Sequence, residues 1–228
     1  MIEPVANAVR HARENRCFLL MIALIATLAI GPWLEEIGAR AVVFGLSTAA
    51  FASAIRAVSD SRRDPFILVA LALATLVLVV VTHATKSLAW GSLALGSFIS
   101  CGLFTVVLVF RYVVRAGAIT LDKIYAAISV YLLAGFTWGG IYALIELLHP
   151  GSFQWARTLD PKTLLQSFVY LSFVTLASLG YGDITPITPQ ARSLALLEVM
   201  FGTFYVVVII ARVVSDFDID SFRTGKRP

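Results

Sequence analysis

The sequence predicts an all-α membrane protein with six transmembrane helices and a shorter helix, before the sixth, that enters the membrane and returns as a loop. Hydrophobic residues make up 59% of the 228-residue chain, against roughly half in an average soluble domain. They are gathered in runs of about 20 residues, the length that crosses a bilayer as a helix. The segment before the last run is too short to cross, and a glycine-containing loop follows it.

Six hydrophobic runs qualify as transmembrane helices. They cover, in order, about residues 17–34, 41–58, 65–82, 88–114, 124–148 and 191–214. The shorter helix covers about residues 161–177, where Asp160 suits the N-cap and Pro161 the first helical position. We divide the chain into a four-helix transmembrane domain, residues 1–116, and a second domain, residues 117–228.

The basic residues orient the chain in the membrane. With the N-terminus in the cytoplasm, thirteen of the eighteen Lys and Arg residues fall on the cytoplasmic side, as the positive-inside rule requires. An even number of spans then leaves both termini in the cytoplasm. We therefore expect a multi-pass protein of the cytoplasmic membrane, in contact with lipid, whose short helix and loop enter from outside.

The loop after the short helix has an unusual composition. Residues 175–183 read TLASLGYGD. Gly180 and Gly182 reach left-handed conformations without steric cost, so they suit a backbone that alternates in handedness. Such a backbone turns successive carbonyl oxygens toward one axis, where they can replace the water around a cation. A simple glycine turn between two membrane helices is the plainer interpretation, but the short helix before the loop and the span after it argue against that.

This loop and its flanking helices resemble the pore loop of bacterial tetrameric potassium channels, whose filter usually reads Thr-Val-Gly-Tyr-Gly-Asp. The resemblance covers the chain from about residue 117. The four preceding spans resemble, in hydropathy only, the helices before the pore in six-span channels. A homotetramer that conducts K⁺ passively is implied, with the permeant ion in place of any cofactor. The implied K⁺ ligands are Ser178, Leu179, Gly180 and Tyr181, and Gly182 completes the filter.

The filter departs from the family pattern at three positions. Leu179 replaces a valine, and Ala177 and Ser178 replace two threonines. Leu179 still offers its carbonyl oxygen, and Ser178 keeps a hydroxyl but is less restricted at χ1 than threonine. Two alternatives therefore stay open: a weakly selective cation channel, and a non-conducting membrane sensor or assembly subunit that keeps the pore fold.

Several residues near the filter are predicted to support it. The resemblance implies that Asp183 bonds back to the short helix, where Tyr170 occupies the matching place. A charge within the sixth span is costly, so Glu198 is expected either to bond a hydroxyl such as Ser172 or Thr175 or to act in the ion path. The predicted support residues are Asp183, Tyr170, Glu198 and Thr175.

Gly202, in the sixth span, stands where the family often keeps a hinge glycine. Close packing against another helix is the rival explanation. Glu146, near the outer end of the fifth span, is expected to tie down the loop that follows it.

The sequence also argues against other functions. Strong voltage sensing is not expected, because moving one charge through 100 mV is worth only about 2.3 kcal/mol and the fourth span has no charged residue from Ser87 to Phe110. Basic residues are scattered at span ends, so nucleic-acid binding is not indicated. No nucleophile constellation, phosphate-binding loop or metal motif occurs, and Cys17 and Cys101 form no metal or disulfide pattern. We do not expect an enzyme.

Overall fold

The structure is a computed structural model that describes residues 16–36, 64–115, 120–155 and 163–212. This part of the chain is helical apart from loops and two short strands. Its helices are α1 (Arg16–Glu36), α2 (Asp64–Thr85), α3 (Leu88–Val114), α4 (Leu121–Leu148), α5 (Leu164–Leu176) and α6 (Pro189–Phe204), the last continuing as a π-helix over Tyr205–Ile210. The strands are β1 (Phe153–Trp155) and β2 (Ile184–Pro186).

Helices occupy five of the six predicted spans, and the span predicted at residues 41–58 lies outside the described residues. Within the described ranges, three helices are long and apolar enough to cross a membrane: Leu88–Val114, Leu121–Leu148 and Pro189–Ile210. Shorter apolar stretches occur in α1, α2 and α5. The predicted short helix is α5, which is described from Leu164 to Leu176; the N-cap predicted at Asp160 and the first helical position predicted at Pro161 lie outside the described residues.

The long helix α4 is the centre of the packing. Helices α1, α3 and α5 all pack on it, while α2 packs on α3 and α6 packs on α5. Cys17, Leu20 and Leu24 form the buried stripe of α1, at the spacing of one helical face. A side chain at Gly139 of α4 would place its Cβ 2.7 Å from the Cα of Val169. Glycine there lets the backbones of α4 and α5 approach closely.

One carboxylate joins three helices at the N-terminal end of α4. Thr120 caps this helix, because its side chain accepts a hydrogen bond from the Lys123 backbone N–H. Asp122 accepts hydrogen bonds from the backbone N–H of Cys17 in α1, at 2.8 Å, and from the hydroxyl of Tyr112 in α3, at 2.9 Å. The first turn of α4 is therefore fixed to both neighbouring helices.

Two short strands are present in addition to the predicted helices. They pair antiparallel, with Phe153 opposite Pro186 and Trp155 opposite Ile184. Strands of three residues are too short to show a period of two in the sequence, so the sequence did not predict them. The sheet joins the segment after α4 to the segment after the glycine-containing loop.

Candidate functional site

The candidate site is the loop that leaves the C-terminal end of α5. The turn is closed by backbone hydrogen bonds from Ala177 N–H to Phe173, from Ser178 N–H to Thr175 and from Leu179 N–H to Val174, at 3.0, 2.9 and 2.8 Å. The extended loop thus starts directly from the helix end. That end carries partial negative charge, which favours a cation beyond it.

The loop backbone alternates in handedness. Ser178, Gly180 and Gly182 have φ angles of +57°, +58° and +78°, whereas Leu179 and Tyr181 between them do not enter the positive region. The two glycines have no atom within 4 Å of where a Cβ would stand, so backbone conformation rather than crowding explains them. Ser178 adopts the left-handed form without being glycine, at a cost of roughly 1–2 kcal/mol.

The loop is exposed in the single chain. All residues from Ala177 to Gly182 are exposed, and the side chains of Leu179 and Tyr181 are 54% and 65% accessible. Large apolar side chains on α6 and its π-helical continuation are likewise exposed, including Leu196, Phe204 and Val207. A loop of backbone oxygens and an apolar helix face are thus both exposed in the single chain.

Asp183 follows the loop and interacts with α5. Its carboxylate lies near enough to the Tyr170 hydroxyl to act on it electrostatically. One carboxylate oxygen, Oδ1, is buried and has no hydrogen-bond partner among the described residues. Tyr170 itself is 40% exposed. The structure therefore brings together the two residues that the sequence paired.

Glu198 of α6 is fully buried at the point where α6 meets α4 and α5. Its carboxylate accepts hydrogen bonds from the hydroxyl of Ser172 in α5, at 2.5 Å, and from the hydroxyl of Tyr142 in α4. Ser172 is one of the two hydroxyls that the sequence offered for this carboxylate, and Thr175 is not hydrogen-bonded to it. Tyr142 was missed, because nothing in the sequence relates two residues 56 positions apart.

Gly202 packs against the end of α5. A Cβ at this position would stand 2.5 Å from the carbonyl oxygen of Leu176 and 3.1 Å from its Cα. Leu176 is the last residue of α5 and directly precedes the loop. Close approach of the two backbones is therefore sufficient to explain glycine here.

The last helix changes its hydrogen-bond pattern soon after Gly202, where the π-helix of Tyr205–Ile210 begins. π-Helical turns are rare and are often found at functional sites. The buried Tyr205 hydroxyl donates to the backbone carbonyl of Ala127 in α4 over 2.8 Å. The only related signal in the sequence is a run of β-branched residues, which have lower helix propensity.

Hydrogen bonds donated by backbone N–H groups hold the segments on either side of β1 and β2, where the chain leaves the loop. The Glu146 carboxylate accepts from the backbone N–H groups of Gly151 and Phe153, at 2.9 and 3.1 Å, so it ties down the following loop as expected. The Ser152 carbonyl accepts from the Ile187 N–H at 2.8 Å. Together with the β1–β2 sheet, these bonds fix the chain immediately after Asp183.

Comparison with known proteins identifies the second half of the chain. A family model described as "Ion channel" matches residues 130–217, which include α5, the loop and α6. Two pore potassium channel c from Oryza sativa subsp. japonica is 34% identical over 85 residues, which are 37% of this chain and 17% of the plant protein. No solved structure matches the chain.

Two bacterial relatives are covered over most of their length. Protein LctB from Bacillus caldotenax is 32% identical over 103 residues, which are 44% of this chain and 76% of LctB. Protein LctB from Geobacillus stearothermophilus is 30% identical over 109 residues, with the same shares of each chain. The chain therefore belongs to the family of protein LctB, and its second half is an ion channel domain of the pore-loop type.

Proposed function

We propose that four copies of this chain form a potassium channel that conducts K⁺ passively across the cytoplasmic membrane. One observation carries the proposal: the alternation of φ at Ser178, Gly180 and Gly182, directly after the C-terminal end of α5. Carbonyl oxygens presented by such a backbone can replace the hydration shell of K⁺ when four loops surround one axis.

The permeant ion would be held by the backbone oxygens of Ser178, Leu179, Gly180 and Tyr181, with the Ser178 hydroxyl added at the innermost position. The plant relative is named as a potassium channel, which supports K⁺ as the ion. A single chain supplies one loop, so the exposed faces of the loop and of α6 are assigned to neighbouring subunits. Both termini are assigned to the cytoplasm by the distribution of basic residues.

A weakly selective cation channel is the second candidate function, because the sequence of the filter is unusual. Ser178 and Leu179 differ from the usual filter residues, and a serine side chain is less restricted than a threonine side chain. If the inner end of the filter is correspondingly less rigid, Na⁺ would pass at an appreciable fraction of the K⁺ rate.

The proposal is tested by cation flux from liposomes that contain the purified protein. The wild type is expected to release K⁺ much faster than Na⁺. Gly180→Ala should reduce K⁺ flux about tenfold or more, because each subunit then holds a left-handed alanine at a cost of roughly 1–2 kcal/mol.

Gly96→Ala is the matched control. Gly96 lies in α3, has no atom within 4 Å of its Cβ position and does not have a positive φ. Its replacement should leave the flux unchanged. Equal K⁺ and Na⁺ fluxes in the wild type would support the weakly selective channel instead. Wild-type flux in the Gly180→Ala variant would contradict the role of the loop backbone.

A further inference from the structure

We propose that Tyr142 is a positioning residue of the filter. It acts through Glu198 at the start of the loop, and its ring helps to hold the end of the loop in place. This inference rests on the proposed function, because it assigns a role in ion selection to a residue of α4 that does not reach the loop itself. It combines two groups of contacts, one behind α5 and one at the strand that follows α4.

The first group is the buried carboxylate. Glu198 and Tyr142 are both 0% exposed. The carboxylate belongs to α6, and its two oxygens accept from Tyr142 of α4 and Ser172 of α5. These two hydroxyls are its hydrogen-bond partners among the described residues. Since removing one partner leaves a buried polar group unsatisfied, the relative positions of the three helices depend on both bonds.

The carboxylate lies behind the start of the loop. Ser172 is one turn before Leu176, the last residue of α5, and Leu176 is also the residue that Gly202 of α6 approaches. Helix α6 therefore contacts α5 at two levels, through Glu198 and through Gly202. A shift of α5 relative to α6 would move the origin of the loop at Ser178.

The second group involves the ring of Tyr142. Its centroid lies 5.4 Å from the ring of Phe153, in an edge-to-face contact. Phe153 begins β1, and its partner strand β2 starts one residue after Asp183. Phe153 also stacks edge-to-face on Phe168 of α5, at 4.7 Å. The ring of Tyr142 thus packs against the strand pair that follows the loop, while its hydroxyl bonds to the carboxyl group behind the start of the loop.

Tyr142→Phe separates these two contributions, because it keeps the ring and removes only the hydroxyl. We expect the current of the variant to decline about tenfold faster during a sustained opening, the change that follows when a buried carboxyl group loses one of its two hydrogen-bond partners. Raising extracellular K⁺ should slow this decline, because ions in the filter oppose its distortion. A merely structural defect would lower the yield of assembled protein but would not respond to extracellular K⁺.

Tyr125→Phe is the matched control on the same helix. Tyr125 packs on Phe18 of α1, and the structure shows no hydrogen bond from its hydroxyl to any described residue. Its kinetics should equal those of the wild type. Ser172→Ala removes the other donor and should reproduce the Tyr142→Phe phenotype, which keeps the test available if Tyr142→Phe does not fold.

A double-mutant cycle tests whether Tyr142 acts through the Glu198 side chain. In a Glu198→Leu background, Tyr142→Phe should change the decline of current by much less than tenfold, because the acceptor of the Tyr142 hydroxyl is already gone. An undiminished tenfold effect in that background would overturn the proposed route through Glu198. Wild-type kinetics in both Tyr142→Phe and Ser172→Ala would overturn the positioning role altogether.

Failure of this inference is distinguishable from failure of the proposed function. A wild-type protein that passes Na⁺ as readily as K⁺, or passes neither, refutes potassium conduction and the inference that rests on it. A K⁺-selective wild type whose Tyr142→Phe variant declines at the control rate refutes the role of Tyr142 alone.

Discussion

Gly202→Ala distinguishes a packing role for this glycine from a hinge role. The new Cβ would stand 2.5 Å from the Leu176 carbonyl oxygen and 3.1 Å from both the Cα and the Cδ2 of Leu176. Ordinary contacts of a Cβ lie at 3.4 Å or more, so α6 and the end of α5 must separate by roughly 1 Å. Leu176 is only 2% exposed, and its backbone cannot turn aside as a flexible side chain could.

The expected cost combines two opposing effects. Overpacking of this kind typically costs about 1–3 kcal/mol. Alanine in a helix interior is about 1 kcal/mol better than glycine, which offsets part of that cost. We therefore expect Gly202→Ala to destabilise each subunit by up to ~2 kcal/mol and to alter ion selection, because Leu176 leads directly into the loop.

The assay is thermal denaturation of the purified protein in detergent, together with the K⁺ to Na⁺ permeability ratio in bilayers. Gly96→Ala is the control, since it gives the same gain in helix propensity with open space around the Cβ. The packing account expects a lower melting temperature for Gly202→Ala than for this control. An equal or higher melting temperature, combined with a reduced open probability, would refute the packing account and favour a hinge.

Two further substitutions address the contacts around the loop and the π-helix. Tyr170→Phe removes the hydroxyl that interacts with Asp183 and should speed the loss of current during a long opening; unchanged kinetics in single-channel records would show that this contact does not brace the filter. Tyr205→Phe removes the buried bond to the Ala127 carbonyl and should destabilise the protein by about 1 kcal/mol, measured by thermal denaturation, whereas wild-type stability would show that the bond contributes nothing.

The elements that the sequence predicted best depend on local patterns. Apolar runs predicted the bounds of α3 within a residue, because helix length and bilayer thickness are linked directly. The Gly-Tyr-Gly-Asp motif predicted the position of the positive φ angles at Gly180 and Gly182, because glycine populates that region freely. Ser178 was predicted only as an ion ligand, and its positive φ follows from the turn at the end of α5.

The contacts that were missed join residues distant in the chain. Tyr142 reaches Glu198 only because α4, α5 and α6 pack around one point, and that packing is not encoded in any local period. Strands β1 and β2 are stabilised by pairing with each other and by the Glu146 carboxylate, not by their own three-residue sequences. The π-helix at Tyr205 was likewise not predicted, and the Tyr205 hydroxyl bonds to the carbonyl of Ala127, 78 positions away in the chain.

The reversal potential of the current through the protein reports directly whether its filter selects K⁺ over Na⁺. The purified protein would be placed in a planar lipid bilayer with K⁺ on one side and Na⁺ on the other. We expect the current to reverse close to the potassium equilibrium potential, because the oxygens of Ser178 to Tyr181 would replace the hydration shell of K⁺ better than that of Na⁺. Clear current that reverses near zero would contradict a potassium-selective filter.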